Sequence, residues 1–159
     1  MNEPVKVSWR KSLRGAPAKW QRRNRTQRML LLEAFLFLGM ARLGMLFLPF
    51  RWLAKSLGTH MKETDTQLPP ADLPLARMVG AAVRSAANYT PWGSVCLPQA
   101  VAAKWMLKRR NIPGTVYLGV IKDKTKPEKL AAHAWLRCGN IILTGAKGHR
   151  QYTVVSTFS

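Results

Sequence analysis

The hydrophobic period of this chain changes once, at Pro113-Gly114, and that change does most to limit the folds open to it. Downstream, TVYLGVI at 115–121, LAAHAWLR at 130–137, NIILT at 140–144 and QYTVVSTF at 151–158 are strand-like, with apolar residues tending to alternate. Upstream the apolar residues fall at helical spacing. Helices first and short consecutive strands after predict an α+β fold, with helices packed on a small antiparallel sheet. With 159 residues, 47% of them apolar, the chain has material for one ordinary core rather than two.

The helical half is punctuated clearly. A helix is expected near Leu75 to Asn88, then a turn at Thr90-Pro91-Trp92-Gly93, then a second helix from near Ser94 to Arg110. Asn111 and Pro113 close that helix, and Lys108, Arg109 and Arg110 complement its negative end. Gly58 to Pro74, with three prolines, reads as a connecting loop, and Lys122 to Lys129 as a loop between the first two strands. The stretch MLLLEAFLFLGMARLGMLFLPF from Met29 to Phe50 approaches spanning length, but Glu33, Arg42, two glycines and Pro49 interrupt it. Two charges in a bilayer core cost several kcal/mol, so a core helix is the first choice, and a helix lying on a membrane surface the second. Arg51 to Leu57 continues as a short basic helical piece. Residues 1–27 are too polar and irregular for a core element, which gives a basic, disordered tail followed by one domain over 28–159.

Charge narrows the partners without naming one. Lys and Arg number 26 against 7 Asp and Glu, a formal net charge of +19, so acidic partners are favoured: nucleic acid, anionic lipid or acidic peptide. Part of the excess lies in the first 28 residues, as a solvated tail or a binding arm. The two cysteines, Cys96 and Cys138, sit in unlike contexts, which argues against a disulfide framework and for a reducing compartment. The basic start lacks the apolar core and cleavage site of a secretory signal, so a cytoplasmic protein is expected, with peripheral membrane contact through residues 1–50 as an open alternative.

Two residues could carry chemistry together. With Ser94 as N-cap, Cys96 stands in the first helical turn, where backbone N–H groups and the helix dipole favour an anion, and a thiolate is the form that attacks carbonyl carbon. Taken alone, Cys96 reads as a buried, inert thiol. His133, on a strand expected to lie against that helix, offers an imidazole to take the thiol proton and return it to a leaving amine. His60 and His149 lie in loops and compete weakly. No Walker-type loop and no metal-ligand spacing occurs, so no cofactor and no metal are expected.

The segment PWGSVCLPQAVAAKWMLKRRNIPGTVYLGVIKD, followed by AHAWLRCGNIILTG and QYTVVSTF, resembles the lasso-peptide leader peptidases, the C-terminal domain of McjB-type proteins. Upstream, LLLEAFLFLGMARLGMLFLPFRWLAKSLG resembles the helical start of stand-alone members, so the resemblance spans roughly residues 28 to 158. It implies a transglutaminase- and papain-like core with Cys96 as nucleophile and His133 as base. Such families use an Asp after the histidine strand, yet no Asp or Glu follows Glu128. If Gly139-Asn140 is the hairpin turn, Ala134 faces Gly145, and Thr144 to Ala146 neighbour His133, which makes Thr144 the natural third member. Asn140 is its rival, but at about 3.3 Å per residue it lies ~20 Å from His133 along the strand. The implied partners are a lasso precursor peptide, a separate leader-recognition protein and an ATP-dependent lasso cyclase, with no nucleic acid. A transglutaminase-like scaffold with impaired catalysis, and a basic membrane-surface or nucleic-acid binder, are the alternative readings.

Overall fold

The computed structural model describes residues 21, 23–122 and 130–159. Most of the expected tail (1–20 and 22) and most of the expected loop between the first two strands (123–129) lie outside the described residues. Helix α1 spans Arg25–Phe47 and starts inside the segment assigned to the tail. The reason is a capping box: Asn24 Oδ1 accepts from the Gln27 N–H at 2.8 Å, and Gln27 Oε1 accepts from the Asn24 N–H at 3.3 Å. Leu30, Ala34, Leu38 and Ala41, at helical spacing, are buried in the common core. Glu33, one of the charges that argued against a spanning helix, pairs with Arg110 and Arg109 at the end of the fourth helix. The core-helix expectation therefore holds for one face of α1.

Helix α2 (Phe50–Leu57) drops Leu53 and Leu57 into the core, and α3 (Leu73–Ala87) adds Val79 and Val83. Helix α4 (Cys96–Lys108) has little amphipathicity because it is wrapped: Ala100 to Ala103, Met106 and Leu107 are all fully buried among the other helices and the sheet. Its end is anchored by Lys104, whose Nζ donates to the Gly114 carbonyl at 2.6 Å. Burial, and then the charge of Lys108, hold the Lys104 ammonium below its usual pKa.

Strands β1 (Thr115–Lys122), β2 (Leu130–Cys138), β3 (Ile141–Thr144) and β4 (Thr153–Phe158) form one antiparallel sheet in the order β3-β2-β1-β4, completing the expected α+β architecture. A short 3-10 turn, His149–Gln151, precedes β4. Alternation splits the sheet into two faces. Val116, Leu118, Ala134, Leu136 and Cys138 join the helical core. Tyr117, His133, Trp135 and Arg137 belong to the opposite face, where the Tyr117 and Trp135 rings stack 5.4 Å apart and Arg137 binds the Tyr117 hydroxyl and Glu63. Residues 59–61 line the β4 edge, with the Met61 N–H donating to the Thr157 carbonyl at 2.8 Å.

Candidate active site

Cys96 is the first residue of α4, and its side chain is half-buried at the margin of the core. The cap differs from expectation. Val95 occupies the N-cap position with no side-chain bond, because Ser94 is turned inward: its hydroxyl accepts from Thr90 Oγ1 at 2.8 Å, and its carbonyl accepts from Gln99 Nε2. Tethering from both sides fixes the Thr90–Ser94 turn, and the sulfur still opens the helix.

His133 sits midway along β2 with a defined ring orientation. Its Nε2 is 2.8 Å from the Gly145 carbonyl oxygen, and its ring packs on Tyr152 (4.9 Å between centroids) and Trp135 (5.8 Å). A carbonyl only accepts, so Nε2 carries a proton, and in the neutral ring the lone pair a base needs is then on Nδ1. Gly145 is required for this contact. It adopts φ +71°, and a Cβ there would stand 2.3 Å from the Ala134 carbonyl oxygen. The partner of His133 on β1, Gly119, leaves room for the stack: a Cβ there would meet Tyr152 and the Trp135 ring under 3 Å.

Thr144 and Asn140 are placed by a β-bulge and by the hairpin turn. Near the turn the expected register is present, with Cys138 opposite Ile141 and Arg137 opposite Ile142, but a bulge then sets Leu136 opposite Thr144. One extra residue turns Thr144 to the face of its new partner. Thr144 is fully buried there, and its hydroxyl has no hydrogen-bond partner among the described residues. The group on the imidazole is the next residue's carbonyl. Asn140 is exposed at the turn, seven residues from His133.

The structure fixes each half of the cysteine–histidine pair without bonding them. Lys104 bonds Gly114, and Cys138 Sγ contacts the Pro113 carbonyl at 3.1 Å, so the end of α4 lies by the foot of β1 and the Cys138 end of β2. Cys96 is at the other end of α4, and His133 is five residues back along β2, about 16 Å at strand rise. Among the described residues no hydrogen bond joins Cys96 to His133, and the ring lies on the sheet face opposite the helical core. No carboxylate among the described residues touches the ring. Cys138 differs sharply: burial first, and Asp72 second, push its thiol up to about 11, so it stays protonated at neutral pH. Among the described residues no group of three His, Cys, Asp or Glu could hold a metal.

Sequence reasoning missed the Gly145 carbonyl and the Tyr152–Trp135 cradle. Part of the signal was available, because the expected hairpin register already set Gly145 beside His133, and a glycine there marks a close backbone approach.

These elements coincide with a known domain. The model of the transglutaminase-like superfamily matches residues 44–157, which include Cys96, His133 and the whole sheet except its last residue, Phe158. The chain belongs to the transglutaminase-like superfamily, a group that includes cysteine peptidases. No curated protein and no solved structure matches it.

Proposed function

We propose that the chain is a cysteine peptidase that removes the leader peptide from a lasso-peptide precursor. Superfamily membership, the half-buried thiol opening α4 and the resemblance of the 91–158 segments to leader peptidases support this reading. The observation that carries it is the His133 Nε2 contact with Gly145, which fixes the tautomer and frees Nδ1 to act as base. Cys96 attacks the carbonyl of the leader–core peptide bond and its proton passes to Nδ1. That proton then goes to the leaving amine, and water cleaves the thioester. A backbone carbonyl orients imidazole but does not stabilise imidazolium as a carboxylate does, so a low rate, or a partner that completes the site, is expected. This reading requires Cys96 and His133 to exchange a proton already in the free protein, with the contact tightening when substrate binds. A leader-recognition protein and an ATP-dependent cyclase are the proposed co-workers, in the cytoplasm.

Mass spectrometry of a lasso precursor incubated with the full chain, with and without the leader-recognition protein, tests the proposal. Cleavage at one junction, abolished in Cys96→Ala, is the expected result. Equal cleavage by Cys96→Ala removes the assigned nucleophile. One observation favours a second reading, a non-catalytic scaffold: the absence of a hydrogen bond between Cys96 and His133. Under that reading Cys96→Ala leaves precursor processing by the complex unchanged.

A further inference from the structure

The outer face of α1 is as apolar as its inner face. Met29, Leu32, Leu36, Met40, Leu43 and Phe47 follow one another at intervals of three or four residues, so they form a single stripe along the helix, and each is 47 to 77% exposed. Most of α1 also precedes residue 44, where the match to the superfamily domain begins. Isolated exposed apolar residues are ordinary, but an unbroken stripe the length of a helix marks an interaction surface.

Charge identifies the occupant. Arg25 and Arg28 stand at one end of the stripe. At the other, Arg51 and Lys55 flank the 56% exposed Trp52, with the Lys55 ammonium 5.6 Å from its ring. The one acid in α1, Glu33, is consumed internally by Arg109 and Arg110. A second copy of a chain with net charge +19 would be repelled from this face, whereas an anionic surface is attracted to it. Apolar stripe, basic ends and an exposed Trp are the features of a helix lying in a lipid headgroup layer.

The same helix has the length and hydropathy of a membrane span. Its inner residues decide between spanning and lying flat. Leu30, Ala34, Leu38 and Ala41 are at most 3% exposed in the core, so threading α1 through a bilayer would open the domain. We infer that α1 and α2 seat the folded domain flat on an anionic membrane surface through the Met29–Phe47 stripe.

Sedimentation with vesicles tests this, using phosphatidylglycerol mixed with phosphatidylcholine against phosphatidylcholine alone. The full chain is compared with Leu36→Glu/Leu43→Glu. Circular dichroism should match between the two proteins, because both leucines are exposed. Expected are binding to the anionic vesicles only, weakening with salt, and loss of on the order of 10-fold or more in affinity in the variant. Unchanged binding by the variant would assign adhesion to the basic N-terminal residues and overturn the inference. So would absence of vesicle binding, or a wild-type dimer in gel filtration that the variant dissociates.

Discussion

The two cysteines occupy opposite situations in the fold. Cys138 ends β2 inside the core, its thiol held protonated by burial and its sulfur against the Pro113 carbonyl. Cys96 starts α4 at the margin of the core, half-buried, its thiol without a hydrogen bond among the described residues. The contrast teaches that a thiol's use is set by the element that carries it. A strand end sealed by two layers makes a packing residue, while a helix start beyond a tethered turn presents sulfur to whatever docks there.

The comparison breaks most easily at the proposed nucleophile. Cys96→Ala is expected to lower precursor cleavage by at least ~10³-fold, whereas Cys138→Ala keeps cleavage near wild type and costs about 1 kcal/mol of stability, some 2–4 °C in Tm. Loss of activity in Cys138→Ala with Cys96→Ala active would reverse the assignment. His133→Ala should lower cleavage by about 10² or more without a comparable drop in Tm, read by kinetics beside calorimetry.

A pair of glycine variants sharpens the second half of the site. Gly145 and Gly148 both have positive φ, +71° and +75°, but a Cβ at Gly148 meets none of the described residues within 4 Å. Gly148→Ala is expected to cost about 1 kcal/mol for the backbone alone. Gly145→Ala should cost about 1–3 kcal/mol and also disturb the carbonyl that holds His133. Equal Tm losses in the two variants, with unchanged cleavage, would remove Gly145 from the site.

A further contrast between the cysteines concerns pH. The folded-state pKa of Cys138 lies above its ordinary value near 9, so between about pH 9 and 11 the unfolded chain releases a proton that the native state keeps. Stability therefore falls as pH rises through that window. Denaturant melts from pH 8.5 to 10.5 should show a shallower loss in Cys138→Ala.

Much of the architecture was legible because each signal was local. The period change at Pro113-Gly114 marked where strands begin, and the Gly139-Asn140 turn gave the right pairing for the first residues of the hairpin. Most of what was missed depends on tertiary contact. Ser94 looked like a cap by composition, but Thr90 and Gln99 claim it. The bulge beside Leu136 cannot be read from alternation, and it turned Thr144 into the core while bringing the Gly145 carbonyl to the ring. The start of α1 was visible in Asn24-Arg25-Thr26-Gln27, where an N-x-x-Q cap sits in a segment too charged to suggest a helix.

The most direct test of a working cysteine–histidine pair needs no substrate. The rate of Cys96 alkylation by iodoacetamide is measured against pH in the wild type and in His133→Ala. A coupled pair gives a profile that includes the imidazole titration and loses it in the variant. Superimposable profiles would mean that sulfur and ring never communicate, and the peptidase reading would be wrong.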